Sequence, residues 1–115
     1  MTKVQKILKV SGETVKKTVN NYIADKENFY QKLKLQLDDT TNFPSDYLYK
    51  FIVPASDNRV KQVRQIFENS AQSISIKKSK TGKYNSISIV INLENSNEVI
   101  SYYKQAEKIE GIISL

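Results

Sequence analysis

The chain of 115 residues contains neither His nor Cys. These absences exclude Ser-His-Asp and Cys-His catalysis, disulfides, thiol redox motifs, and zinc sites built from thiolate and imidazole. The side chain that most readily exchanges protons near neutral pH is also missing. The acidic residues show no spacing that specifies a carboxylate active site or a hard-metal site, so we interpret them as solvated surface. We therefore expect a protein that is not an enzyme, with no catalytic residue, no metal site and no cofactor.

Long apolar runs are absent as well. No run approaches the length of about 18 residues that a membrane-spanning helix needs. The first 25 residues lack the uninterrupted apolar segment of a secretory signal. We therefore expect no membrane span and a cytoplasmic location. The apolar fraction of 39% and the charged fraction of 26% are typical of a globular protein, and the length suits one domain with one appendage.

The second half of the chain alternates between strand and helix patterns. Residues 84–93 show the clearest alternation, with Ile87, Ile89, Ile91 and Leu93 on one face and Tyr84, Ser86, Ser88 and Val90 on the other. The predicted elements are a strand at 47–53, a helix at 58–70, strands at 72–79 and 84–93, a helix from Asn95 to Ile109, and a strand at 112–115. This order predicts an α+β, ferredoxin-like βαββαβ fold, with a four-stranded antiparallel sheet and both helices on one face.

Three short signals mark the predicted boundaries. Gly82 lies in the turn between the middle strands, where a positive φ is needed. Asn95 and Glu98 have the spacing of a capping box at the start of the second helix. Gly111 lies where that helix ends and the chain turns into the last strand.

The residues before the βαββαβ unit divide into two segments. Residues 1–25 form a basic N-terminal arm with helical spacing of apolar residues, interrupted at Ser11 and Gly12. Ser11 fits the cap of a second helix, and a hairpin turning at these two residues is the alternative. Residues 26–46 hold a helix at about 27–38, and the loop that follows it is predicted to run from Asp38 to Asn42. The domain organisation is therefore an arm at 1–25, a helix and linker at 26–46, and the ferredoxin-like domain at 47–115.

Three segments resemble the YbeD-like family of small bacterial proteins, a domain of unknown function. The first is Tyr47-Leu48-Tyr49-Lys50-Phe51-Ile52-Val53-Pro54, which is similar to the first strand of the family. The second runs from Ser79 to Ile89 and resembles the hairpin Ser-Ser-Lys-Gly-x-Tyr-x-Ser-Val-Ser-Ile, and the third runs from Lys108 to Leu115. The resemblance covers roughly residues 27–115 and implies a ferredoxin-like fold similar to ACT regulatory domains, with no established activity. Lys78 and Lys80 depart from the family pattern and make the hairpin more basic.

The net charge of +6 is concentrated in two places. One is the arm, with five Lys against two acids, and the other is the hairpin between the middle strands. The candidate binding residues at and beside this hairpin are Lys77, Lys78, Ser79, Lys80, Lys83, Tyr84, Ser86 and Ser88. Four ammonium groups beside an aromatic ring attract a phosphate-bearing ligand or a nucleic acid strand. The alternative, which the pattern favours slightly, is a hairpin tip that lysine keeps soluble and free of edge-to-edge pairing.

These observations leave two functional hypotheses. The first, implied mainly by the resemblance, is a non-enzymatic regulatory or adaptor domain, ACT-like, that acts by homodimerisation or by binding a small metabolite or a protein partner. The open sheet face, with Leu48, Ile52 and Val90, needs such a partner or a cover from the arm. The second is a nucleic-acid-binding module that uses the basic hairpin and the arm.

Overall fold

The computed structural model describes the backbone of residues 12–115 and the side chains of residues 25–115, except that of residue 57. Its elements are α1 (Gly12–Thr40), β1 (Ser45–Pro54), α2 (Asp57–Phe67), β2 (Ala71–Lys78), β3 (Tyr84–Leu93), α3 (Ser96–Ala106) and β4 (Ile113–Ser114). The chain divides into two compact units between Leu37 and Asp38. The elements of the second unit follow one another in the predicted order βαββαβ.

The sheet has four antiparallel strands in the order β2-β3-β1-β4. β1 pairs with β3 over its ten residues, from Ser45 opposite Leu93 to Pro54 opposite Tyr84. β4 is much shorter and pairs with β1 only at Phe51 and Ile52. This topology confirms the predicted ferredoxin-like α+β fold.

One face of the sheet forms the hydrophobic core. The predicted alternation of β3 is confirmed, because Ile87, Ile89, Ile91 and Leu93 are at most 2% exposed. The other buried residues of this core include Tyr49, Phe51, Val53, Val63, Phe67 and Val99. Phe67 of α2 stacks on Tyr102 of α3 with ring centroids 4.9 Å apart, and also contacts Tyr49 of β1 at 5.1 Å. Both helices of the unit therefore lie on the same face, as predicted, and no helix within residues 38–115 lies on the opposite face, which is called the open face.

Tyr49 places a polar group in the centre of this core. Its ring is fully buried, and its hydroxyl donates a hydrogen bond of 2.8 Å to the backbone carbonyl of Val99. Burial, with smaller contributions from the neighbouring Tyr103 and Tyr47, raises the pKa of Tyr49 well above its usual value. The hydroxyl is therefore held in its neutral, donating form and links β1 to α3.

α1 differs from the predicted pair of shorter segments. It is one helix of 29 residues that continues through Asp38 and Asp39 to Thr40, so the predicted start of the loop at Asp38 is wrong. A carboxylate near a helix C-terminus is unfavourable to the helix dipole, but Asp38 accepts a hydrogen bond of 2.5 Å from the hydroxyl of Ser96. That contact with α3 offsets the unfavourable position. The predictions for residues 1–11, including the cap at Ser11, lie outside the described residues.

The ends of the other two helices also differ from the prediction. α2 ends at Phe67 rather than at residue 70, and α3 ends at Ala106 rather than at Ile109. Beyond α3, the N–H of Ile109 donates to the carbonyl of Ala106 in a turn, and Gly111 has φ +79°. The apolar spacing continued past the true end because Ile109 is still buried in this turn.

The start of α3 has half of the predicted capping box. The side-chain oxygen of Asn95 accepts from the N–H of Glu98 at 3.0 Å, as predicted. The carboxylate of Glu98 accepts from the N–H of Glu94 at 2.6 Å, whereas a capping box directs it to the N–H of Asn95. The cap therefore reaches one residue further back along the chain than the sequence pattern indicated.

Candidate binding groove on the open sheet face

The hairpin between β2 and β3 is held by the backbone and side chain of Ser79. The N–H of Ser79 donates to the carbonyl of Tyr84 at 2.9 Å, and the carbonyl of Ser79 accepts from the N–H of Gly82 at 3.0 Å. Gly82 has φ +73°, which confirms its predicted place in the turn. The hydroxyl of Ser79 accepts from the N–H of Tyr84 at 3.1 Å. The hydroxyl of Ser79 therefore serves to shape the hairpin.

A groove of about 390 Å³ opens on the open face of the sheet beside this hairpin. The register places Ser86 of β3 directly between Lys77 of β2 and Ile52 of β1. These three side chains form one row across the sheet, because directly paired residues point to the same face. The residues that line the groove are Ile52, Lys77, Lys78, Ser79, Lys80, Tyr84 and Ser86.

Six of the eight candidate binding residues line this groove, while Lys83 and Ser88 do not. Ser88 lies on the open face but is paired with Ser75 and Lys50, one row further from the hairpin. Lys83 lies in the turn just before β3 and is not among the residues that line the groove. Its backbone carbonyl accepts from the N–H of Ala55 at 2.8 Å, which fixes it beside the end of β1.

Ile52 is a groove residue that the sequence analysis did not assign to the site. The alternation of β1 places it on the open face, opposite the buried Phe51 and Val53. Its position beside Ser86 depends on the register between β1 and β3, which are separated by 29 residues of sequence. Alternation alone therefore indicated its face but not its neighbours.

The groove combines positive charge with an apolar wall. Lys77, Lys78 and Lys80 make no ion pair within the described part of the chain. The surface of the groove is mostly apolar, and the apolar groups among its lining residues are the aliphatic stems of these lysines, the ring of Tyr84 and the side chain of Ile52. Tyr84 is 47% exposed, so part of its side chain is accessible to a ligand. This arrangement suits a molecule with an anionic group and an apolar or aromatic part.

No group of three or more acidic side chains in the described residues is placed to hold a metal ion. No helix in residues 12–115 is long and apolar enough to cross a membrane.

The fold and the groove define a small α+β domain of ferredoxin-like topology, in which both helices of residues 38–115 lie on one face of the sheet. The family described as "Protein of unknown function (DUF493)" matches residues 38–115, and the chain belongs to this family. The match begins where the second compact unit begins, whereas the sequence resemblance was expected to extend to residue 27.

Relatives with the name UPF0250 protein confirm the resemblance to YbeD. UPF0250 protein YbeD of Escherichia coli is 30% identical over 81 residues, which cover 68% of this chain and 93% of YbeD. A UPF0250 protein of Idiomarina loihiensis is 29% identical over 82 residues, which cover 69% of this chain and 93% of the relative. Neither the family description nor these names assign an activity.

Solved structures agree with the fold. A protein of H. pylori with a solution structure has a TM-score of 0.53 at 16% identity, over 66% of this chain and 86% of that chain. An uncharacterized protein from Thermotoga maritima has a TM-score of 0.52 at 12% identity, over 61% of this chain and 90% of that chain. At these identities such likenesses concern the fold and carry no function to this chain.

Proposed function

We propose that the protein is a non-enzymatic regulatory domain that binds a small anionic metabolite in the groove beside the β2–β3 hairpin. The observation that supports this proposal is the set of three lysines, Lys77, Lys78 and Lys80, around one concave surface. A volume of about 390 Å³ falls within the range usual for small-molecule sites. Cations without an ion-pair partner at such a site attract an anion without first breaking an existing contact.

The wall of the groove restricts the ligand further. An isolated inorganic anion would contact the ammonium groups and leave the ring of Tyr84 and the side chain of Ile52 exposed to water. A ligand that joins an anionic group to an aromatic or apolar part would cover both. The hydroxyl of Ser86 lies between these two regions and is available to hydrogen-bond a polar linking atom.

A single strand of nucleic acid is the second candidate ligand. It is favoured by the exposed ring of Tyr84 beside the lysines of the hairpin. The open face offers few further rings for stacking, since Ser86 and Ser88 follow Tyr84 on β3. Nucleic acid binding would also weaken steeply with salt, by about 0.7–0.9 log units per log unit of salt for each phosphate contacted. A small ligand held by few charges has a shallower dependence.

The proposal is tested by titrating the full chain with phenyl phosphate and with pyrophosphate while amide shifts are followed by NMR. We expect saturable shifts at the hairpin and at Ile52, with phenyl phosphate binding more tightly than its charge alone predicts. Lys80→Gln removes a groove cation and should weaken binding by about tenfold. Lys83→Gln is the matched control, because Lys83 lies on the same hairpin outside the groove.

Two results would contradict the proposal. One is the absence of saturable shifts at millimolar probe. The other is an equal loss of affinity in the two variants, which would indicate attraction to the overall charge of the hairpin. Steeply salt-dependent binding of generic single-stranded RNA or DNA, with no response to the small probes, would favour the nucleic acid candidate. Homodimerisation, a protein partner and a cytoplasmic location stay predictions, and light scattering tests the first of them.

A further inference from the structure

β1 has an open edge on the side where β4 lies, because β4 is much shorter than β1. β4 pairs with Phe51 and Ile52, and the N–H of Leu115 donates to the carbonyl of Lys50 at 2.9 Å. Between Lys50 and the start of β1, no strand among the described residues pairs on this side. The first half of β1 is therefore bonded to β3 on one side only.

The unpaired groups on this edge follow from the alternation of an antiparallel ladder. Successive residues direct their N–H and C=O groups to opposite sides of a strand. The carbonyl of Lys50 points towards β4, so the backbone groups of Leu48 and Asp46 point to the same side. The carbonyl of Asp46 accepts from the hydroxyl of Ser45 at 3.2 Å, whereas the backbone of Leu48 has no hydrogen-bond partner on this side within the described residues.

Apolar side chains are clustered along the same edge. Leu48, Ile113 and Leu115 are 59%, 52% and 66% exposed, respectively. Ile113 is directly opposite Ile52, which places it on the open face together with Leu48. Free backbone donors and acceptors beside exposed apolar side chains are the features by which an extended segment is added to a sheet.

A second copy of this chain fits the edge poorly. If β1 of one copy paired antiparallel with β1 of another, two registers would include both Leu48 and Asp46 among the paired residues. A register centred on residue 47 sets Leu48 of each copy against the exposed carboxylate of Asp46 of the other. A register centred on Leu48 needs the position opposite Lys50, which Leu115 already occupies.

We propose that this edge binds an extended segment of another protein, which pairs antiparallel to β1 as an added strand. Its apolar residue lies opposite Leu48 and beside Leu115, and a basic residue two positions later lies opposite Asp46. Oδ1 of Asp46 accepts hydrogen bonds of 3.0 Å from Gln72 of β2 and from Asn92 of β3, which keep the side chain on the open face of the sheet. This surface lies on a different part of β1 from the groove and does not depend on the proposed ligand.

The test uses a blocked peptide of sequence Thr-Val-Thr-Lys-Thr and the full chain labelled with ¹⁵N. We expect saturable amide shifts at residues 46–48. Replacing the peptide's Lys with Glu should weaken binding by about threefold to tenfold, because it sets like charges across from one another. Methylation of the Val nitrogen should abolish binding, since it removes the donor to the carbonyl of Leu48.

Two protein variants separate edge pairing from apolar contact. Leu48→Pro removes an N–H from the open edge, while the ladder to β3 uses residues 47 and 49 and is retained. Leu48→Thr keeps the N–H and shortens the apolar side chain. We expect the Thr variant to bind the peptide within about threefold of the original chain and the Pro variant to lose binding. Unchanged core resonances around Tyr49 verify that both variants are folded.

Any of three outcomes would overturn the inference. The first is the lack of saturable shifts at residues 46–48 at millimolar peptide, and the second is equal binding of the Val-Lys peptide and its N-methylated form. The third is a concentration-dependent dimer of the full chain that Leu48→Pro abolishes. That dimer would assign the edge to a second copy of the chain.

Discussion

Replacement of Gly111 by Ala tests how the chain returns from α3 to the edge of the sheet. Gly111 has φ +79°, a conformation that L residues rarely adopt. A Cβ atom at this position would lie 2.9 Å from Cγ and 3.2 Å from Cδ of Pro54, at the end of β1. Two independent penalties are therefore combined at one residue.

Their magnitudes can be estimated separately. A side chain in the left-handed region costs about 1–2 kcal/mol. Crowding against a ring in a well-packed site costs about 1–3 kcal/mol. We expect Gly111→Ala to lower the free energy of unfolding by about 3 kcal/mol, which corresponds to a fall in Tm of roughly 12–24 °C for a small domain. Urea denaturation followed by circular dichroism measures the first quantity directly.

Gly82 provides the matched control. It has φ +73°, but the nearest atom to its added Cβ would be Cε of Lys78 at 3.6 Å, an ordinary contact with a flexible side chain. Gly82→Ala should therefore cost only the backbone penalty of about 1–2 kcal/mol. Pro54→Ala removes the Cγ and Cδ atoms that crowd residue 111. In that background, Gly111→Ala should lower the free energy of unfolding by no more than this backbone penalty. Two results would refute the reasoning. One is an equal loss of free energy of unfolding in Gly111→Ala and Gly82→Ala. The other is a double variant with Pro54→Ala whose loss is the sum of the two single losses.

Two further predictions concern single hydrogen bonds, one buried and one exposed. Tyr49→Phe removes the hydroxyl that donates to the carbonyl of Val99 and should lower the free energy of unfolding by about 1 kcal/mol in urea titrations. Because burial raises the pKa of Tyr49, its stabilising contribution is complete below the unfolded pKa of about 10. Above that pH the contribution is lost, by up to about 1.4 kcal/mol per pH unit. The free energy of unfolding of the Phe variant should therefore fall less steeply with pH than that of the original chain. Equal falls in the two proteins would contradict this role of Tyr49. Asn95→Ala removes the cap of α3 and should lower the free energy of unfolding by about 1 kcal/mol. Asn95→Asp keeps a capping oxygen and should retain most of that stability, and thermal melts compare the two variants.

The sheet could be predicted from the sequence because its signals are local. Ile87, Ile89 and Ile91 alternate with Ser86, Ser88 and Val90, and this pattern alone identified both the strand and its buried face. The turn at Gly82 needs a residue that tolerates positive φ, and that requirement is also local. The end of α1 was predicted wrongly because Asp38 is stabilised by Ser96, a residue from a distant part of the sequence.

The groove could be predicted only in part for the same reason. The lysines of the hairpin are adjacent in sequence, so their cluster was visible at once. The contribution of Ile52 depends on the pairing of β1 with β3, and the exclusion of Lys83 depends on the shape of the turn between β2 and β3. Cross-strand register combines distant residues, and a single sequence indicates it weakly.

The shortness of β4 also determines how β1 exchanges its amide protons with solvent. Tyr49 and Phe51 direct their N–H groups towards β3, in the middle of the sheet, whereas the N–H of Ile52 is directed towards Ile113. Detaching β4 breaks few hydrogen bonds and leaves the rest of the sheet intact, so it requires less free energy than global unfolding. Along a single strand, neighbouring amides therefore report two different events, the release of the chain end and the unfolding of the whole unit.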